Sequence, residues 1–199
     1  MKTIAGIFWM VLVISLPALS QQETLFSGEV EHGGFGGPVL KISSVNKEFG
    51  LFVGGRGGWI IDHKLMIGGG GYGLVNDVTA NRLGPLNERY IDFGYGGLEV
   101  EWVVNSDKLL HFSFHALIGG GSIQYRNQMG DITFHDQLSD GVFVLEPGAT
   151  LDLNVTTRFR FSAGASYRYV SGVEENSRLS SNDDLSGPSA IVMLRFGKF

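Results

Sequence analysis

One short segment has the residue types and the spacing that ester hydrolysis would need. In the sequence HFSFH at 111–115, His111, Ser113 and a second histidine alternate with phenylalanines, so on a β-strand the polar side chains would share one face. A base, a hydroxyl and an acid support acyl transfer, and Glu99 on a neighbouring strand would supply the acid. His111, Ser113 and Glu99 are therefore weak catalytic candidates. The alternative is that the histidines bond to carboxylates inside a barrel.

Two other features resemble ligand sites but predict none. Asp131, His135, Asp136 and Asp140 have the side chains of a metal site, but their spacing matches no metal motif. The glycine runs, such as 68–71, resemble a phosphate-binding loop. No helix is predicted after any of them, and glycine is expected where a small barrel bends sharply. We therefore predict no metal and no cofactor.

The beginning of the chain predicts export. Lys2 supplies a positive charge, Ile4–Leu16 are almost all apolar, and Ala18-Leu19-Ser20 is a small-x-small cleavage site. The sequence has no cysteine for a disulfide or a lipid anchor, and its net charge of −5 disfavours a nucleic-acid partner. The predicted division is a signal peptide at 1–20, cleaved near Ser20, an N-terminal segment at 21–32 and a β-barrel at 33–199.

Turn signals divide the rest of the chain into eight segments, each long enough to cross a bilayer as a tilted strand. Short breaks alternate with long polar ones, as is typical of outer-membrane barrels, and only the turn at Asn46-Lys47 departs from this order. The short breaks lie at 62–64, 105–108 and 155–157, and the long ones at 77–87, 127–139 and 172–185. The predicted strands are 33–45, 47–60, 64–76, 88–104, 109–126, 140–155, 157–171 and 186–199.

Alternation along these segments predicts which face meets lipid. Between 143 and 155 the odd-numbered positions are apolar, and the other face carries Glu146 and Asp152. Charges confined to one face suit a polar lumen and a lipid-facing exterior, whereas a soluble barrel or sandwich would turn its apolar face inward. The sequence therefore favours a membrane barrel.

The fourth segment changes phase in its middle. Ile91 and Phe93 alternate in one phase, and Leu98 and Val100 alternate in the other. Because one extra residue would bring both halves onto the same face, the change predicts a β-bulge at Gly96-Gly97.

The inward positions carry many charges. An eight-stranded barrel is only wide enough to be filled by side chains, and unpaired charges there would be costly, so we expect a paired network. A three-residue turn at 155–157 would place Asp152 opposite Arg160, which predicts an ion pair between them. The predicted network is Arg56, Glu99, Glu101, Glu146, Asp152, Arg158, Arg160 and Arg195, with Lys41, His111, His115 and Arg168 on the same face.

The C-terminal residues carry a family resemblance. The alternating segment 190–199 ends on Phe199 and resembles the terminal signal that the assembly machinery of bacterial outer-membrane barrels reads, although Gly197 stands where that signal has an aromatic residue. With the signal peptide and the eight segments, the chain resembles small barrels of the OmpX and OmpA-transmembrane type. The resemblance implies a closed, antiparallel, up-and-down transmembrane β-barrel in the outer membrane, a monomer that contacts lipid and the assembly machinery.

The leading functional hypothesis is a non-enzymatic barrel whose external loops have a structural or surface-interaction role. The His-x-Ser spacing also resembles the outer-membrane lipid A deacylase family, which makes a lipid-modifying enzyme one alternative. Two features oppose the enzyme hypothesis. Phe112 and Phe114 mark the other face of this strand as lipid-facing, and the motif starts just after a periplasmic turn, far from the outer leaflet. Another alternative is a soluble exported barrel that binds an apolar ligand.

Overall fold

The computed structural model describes residues 30–80, 89–127, 140–173 and 180–199. Eight antiparallel strands form a closed barrel in which each strand pairs with the next and the last pairs with the first. The prediction of an all-β, eight-stranded, up-and-down barrel is confirmed. The elements are β1 (His32–Val45), β2 (Glu48–Ile61), β3 (Leu65–Leu74), β4 (Arg89–Val104), β5 (Leu110–Asn127), β6 (Asp140–Thr156), β7 (Phe159–Ser171), α1 (Asn182–Leu185) and β8 (Gly187–Lys198).

Several sequence predictions lie outside the described residues. They are the signal peptide at 1–20, most of the segment at 21–32, and the loop residues Asp131, His135 and Asp136. No helix in the described ranges is long and apolar enough to cross a bilayer.

Short turns join the strands at one end of the barrel, which we call the turn end. Asp62, His63 and Asn105 adopt positive φ angles of 51°, 53° and 56° there, a conformation that Asp and Asn tolerate better than most residues. The opposite end, the loop end, carries the long connections and one short turn, in which Asn46 and Lys47 have φ angles of 48° and 63°. The predicted order of short and long connections is therefore confirmed.

The faces of β4 show how polarity is distributed. Leu98 and Val100 point outward and are exposed, whereas Glu99 and Glu101 point into the lumen and are buried. Over the half of the barrel nearer the turn end, the exterior is apolar and the lumen is charged, as the alternation predicts.

The β-bulge predicted at Gly96-Gly97 is wrong. The ladders of β4 with β3 and with β5 run without a register shift, so Ile91 and Phe93 lie on the same inward face as Glu99. Toward the loop end the inward-facing side chains form an apolar core, so the apolar residues of β4 point into the lumen there. This apolar layer, the external tier, contains Val45, Phe52, Ile91, Phe93, Ile123, Val142, Val144 and Val170, with Val78, Ala80, Val173 and Leu185 from the connections.

The described connections fold over the external tier. Ser181 and Asp184 form a capping box at the start of α1, and Leu185 at its end is fully buried. The Arg168 Nε atom donates a hydrogen bond to the Leu185 carbonyl 2.8 Å away. In the connection between β3 and β4, the backbone amide of Val75 donates a hydrogen bond to the carbonyl of Leu51 on β2. The loop end is thus covered by ordered chain.

β4 and β5 extend beyond their neighbours at the loop end. Here Asp92, Ser122 and Gln124 point outward and are exposed, while Ile91 and Ile123 are buried inside. Polar outside and apolar inside is the polarity of a protein in water. We call this part of β4 and β5, residues 89–93 and 121–127, the wall.

Candidate functional site

A charged layer fills the lumen between the external tier and the turn end, and we call it the central layer. Its members come from seven strands, and each occupies an inward position of its strand. All of them are buried, so the layer closes the lumen with side chains. The members are Lys41, Arg56, Glu99, Glu101, His111, Ser113, His115, Glu146, Asp152, Arg160, Arg168 and Arg195.

The upper part of the central layer is built around one ion pair. The Lys41 Nζ atom on β1 lies 2.9 Å from both carboxylate oxygens of Glu146 on β6. The same Nζ atom stands 3.3 Å from the centre of the Tyr72 ring. The hydroxyls of Tyr95 and Ser166 also donate hydrogen bonds to Glu146. Every charge in this group therefore has a partner, which offsets the cost of burying it.

The lower part is built around Glu101, which is 0% exposed. It accepts hydrogen bonds from Arg56 on β2 and from the Nη1 atom of Arg195 on β8, the latter over 2.5 Å. Glu99 accepts from the Arg56 Nη1 atom over 3.4 Å and from the Tyr72 hydroxyl over 3.2 Å. Two carboxylates and two guanidinium groups thus link three strands across the lumen.

The catalytic candidates do not form a catalytic triad. Ser113 donates its hydroxyl hydrogen bond to Asp152, and the His111 Nε2 atom lies 3.8 Å from the same carboxylate. A serine nucleophile must donate to the histidine that removes its proton, whereas here the hydroxyl is held by the acid. Glu99 instead accepts hydrogen bonds from Arg56 and Tyr72. His111, Ser113 and Asp152 are buried, so a lipid substrate has no access to them.

Two predictions about the network are wrong. Arg158 is exposed because it lies in the turn between β6, which runs to Thr156, and β7. Asp152 lies opposite Ser162, not opposite Arg160, because β6 continues to Thr156 and the turn is formed by residues 157 and 158 instead of 155–157. The Arg195 Nη2 atom, 3.4 Å from Asp152, is the guanidinium that pairs with this carboxylate.

Sequence reasoning missed the two tyrosines that donate hydrogen bonds to the central layer. Tyr72 and Tyr95 donate to Glu99 and Glu146, and both are buried. Tyr95 shares its phase with Glu99 on β4, so the unbroken alternation of that strand was the available signal.

The described residues contain no cluster of three or more side chains that would hold a metal ion. Of the loop residues with metal-binding side chain types, only the backbone of Asp140, at the start of β6, is described.

An Asp152→Ala variant should unfold more easily than a variant that also carries Arg195→Ala. The single change leaves the Arg195 guanidinium without one of its buried carboxylates, whereas the double change removes both charges. Denaturant titration would measure the two midpoints, with Asp152→Ala plus Arg160→Ala as the matched control. Equal midpoints for Asp152→Ala alone and with Arg195→Ala would contradict the pairing.

The barrel has similar solved structures among bacterial outer-membrane proteins. It is similar to Neisserial surface protein A (NspA), with a TM-score of 0.58 and 11% identity over 86% of this chain and 100% of that chain. It is also similar to the N-terminal β-barrel domain of Pseudomonas aeruginosa OprF, with a TM-score of 0.57 and 13% identity over 85% of this chain and 99% of that chain. The chain has the fold of the small eight-stranded outer-membrane barrels. The sequence matches no family model and no curated protein.

The two phenylalanines at the C-terminal end of this outer-membrane-type barrel, Phe196 on β8 and Phe199 just after it, point in different directions. Phe196 points outward, is 52% exposed and stacks on Phe159 at 4.9 Å. Phe199 turns toward the lumen, where its ring lies 5.9 Å from that of Phe35 and 4.0 Å from the Arg160 guanidinium. Phe199 therefore closes the turn end of the lumen, and Phe196 is the aromatic residue on the outer surface.

Proposed function

We propose that the chain is a non-enzymatic integral protein of the bacterial outer membrane, a filled barrel whose loop end has a structural or surface-interaction role. The observation that carries this proposal is the outer surface, because every strand exposes at least one large apolar side chain. Soluble monomers rarely expose apolar patches of this extent. The exposed residues include Leu40, Ile42, Val53, Trp59, Ile67, Leu98, Trp102, Phe112, Phe114, Phe143, Leu151, Phe161, Val192, Leu194 and Phe196.

The length of the apolar surface supports the membrane assignment. On β5 the outward positions from Leu110 to Ile118 are apolar, and with Gly120 the stretch has the roughly 9–11 residues of a strand that crosses a bilayer. The polar wall follows directly. The turn end then lies on the periplasmic side and the loop end on the cell surface. A soluble barrel would instead use its apolar face to line a ligand cavity.

The closed lumen supports a structural role over transport. The external tier, the central layer and Phe199 succeed one another along the barrel axis, and each is filled by packed side chains. Transport through the barrel would require several buried ion pairs to break together. The burial of His111 and Ser113 likewise favours a non-enzymatic role over lipid modification.

The last strand and the terminal residue carry the features proposed to guide assembly into the membrane. The outward row of β8, which ends at Phe196, is the surface that an assembly machinery would read, and Phe199 follows as the terminal residue. Each strand pairs with a neighbouring strand on both sides, which fits a monomer.

The purified chain should migrate faster on a gel when it is not boiled. A closed ladder of eight strands resists detergent, so the unboiled protein keeps its compact form and boiling removes it. Gel mobility of boiled and unboiled samples in detergent micelles measures this directly. A chain that shows no shift and stays soluble without detergent would overturn the membrane assignment in favour of a soluble ligand-binding barrel.

A further inference from the structure

A shallow groove opens on the outer surface of the barrel at the loop end, where β1 and β8 separate. Ala165, Pro188 and Ala190 form its floor, and Ile42 and Phe49 line it on the side of β1 and β2. We call it the seam groove. It faces outward at the loop-end edge of the apolar outer surface, which includes Ile42, and it is separate from the central layer.

The local sequence explains why the groove exists. The ladder between β1 and β8 ends at the pair Ser43 and Ser189, and the Ser43 hydroxyl donates to the Pro188 carbonyl 3.0 Å away. Ala165 and Ala190 are direct neighbours across the ladder of β7 and β8. Their methyl groups leave a low floor beside Phe49, which is 58% exposed.

A lysine on a fixed turn stands at the rim of the groove. Lys47 lines the groove, and the adjacent Asn46 holds the turn by two hydrogen bonds, from its amide to the Asp184 carbonyl and from its side chain to the Thr79 carbonyl. The neighbouring carboxylate, Glu48, also lines the groove and accepts a hydrogen bond from the Thr79 amide. Lys47 makes no ion pair with any described residue. In the proposed membrane location its ammonium group lies at the level where β1 and β2 leave the lipid.

We propose that the seam groove binds one acyl chain of an outer-leaflet lipid whose headgroup is an anionic phosphate monoester, and that Lys47 pairs with this phosphate. This inference rests on the proposed membrane location. An apolar floor that opens toward lipid fits an extended hydrocarbon chain, since each buried methylene contributes about 0.8 kcal/mol. A cation at the rim complements an anionic headgroup.

The test is native mass spectrometry of the full chain released from neutral-detergent micelles. The probes are phosphatidic acid and phosphatidylcholine with identical chains. We expect wild-type protein to retain one phosphatidic acid in preference to phosphatidylcholine. Lys47→Gln should reduce that preference about threefold, as for an exposed ion pair. Ala165→Leu, which fills the floor, should weaken retention of both lipids about fourfold or more, equivalent to one lost methylene contact.

Two matched variants serve as controls. Ala163→Leu adds the same side chain on the same face of β7, two residues below the groove, and Lys108→Gln removes an exposed lysine at the turn end. Both should retain lipid as wild type does. Equal loss in Lys47→Gln and Lys108→Gln, or equal retention in Ala165→Leu and Ala163→Leu, would overturn the lipid site. Heat modifiability of each variant reports the barrel separately, so failure of the lipid site is distinguishable from failure of the membrane assignment.

Discussion

Glu101→Gln should lower the free energy of unfolding by about 3–5 kcal/mol, the range for breaking a buried ion pair. Glu101 is 0% exposed and accepts from both Arg56 and Arg195. Glutamine keeps the shape of the side chain but removes its charge, so two buried guanidinium groups lose their shared partner. Denaturant titration of the protein reconstituted in lipid vesicles would measure the loss.

Two companion variants make this prediction specific. Glu48→Gln changes an exposed carboxylate at the loop end and should alter the free energy of unfolding by less than about 1 kcal/mol. Glu101→Gln combined with Arg195→Met should regain part of the loss, because one of the uncompensated cations is gone. A single variant as stable as Glu48→Gln would show that Glu101 is not the centre of the network.

Gly37→Ala should prevent the barrel from closing, while Gly36→Ala should be tolerated. A Cβ atom at Gly37 would overlap the backbone carbonyl oxygen of Leu194 on β8, at the seam between the first and last strands. The overlap is relieved only if β1 and β8 move apart at this point, so we expect a cost of about 1–3 kcal/mol or more, as for other overpacked sites. At the adjacent Gly36 the nearest atom, the Arg56 carbonyl oxygen, is 4.0 Å away.

The gel shift of unboiled protein measures closure in these two variants. We expect Gly36→Ala to keep the shift of wild-type protein and Gly37→Ala to lose most of it. Because the two residues are neighbours and receive the same methyl group, general effects of alanine on strand formation cancel. A normal shift in Gly37→Ala would mean that the two strands lie further apart at the seam.

The strands and their faces were predictable because they depend on local pattern. Eight segments with period-2 alternation, separated by turn residues, define the ladder order by themselves. The phase change at Ile91 and Phe93 predicts a bulge, and this prediction is wrong because alternation alone does not say whether the lumen is polar or apolar at a given height. The lumen is apolar at this height because Leu185 and Val78, from distant connections, pack into the external tier.

The partners within the central layer were less predictable than its membership. Lys41 and Glu146 are on β1 and β6, and Glu101 and Arg195 are on β4 and β8. Such pairs meet across the lumen, so reasoning from adjacent strands does not find them. The pair predicted from adjacent strands, Asp152 with Arg160, is wrong because the turn lies further along the chain, at 157–158, so that Asp152 faces Ser162.

The wall gives the loop end of the barrel an uneven height. At about 3.3 Å per residue and a tilt of about 40°, the seven residues 121–127 rise roughly 18 Å beyond the apolar outer surface. On the opposite side the chain turns back at Asn46 and Lys47, directly at the end of β1. Over the described residues the mouth of the barrel is therefore a slope. In the proposed membrane location, a large molecule approaching along the membrane plane would meet a steep ridge on the side of β4 and β5 and a low step on the side of β1 and β2.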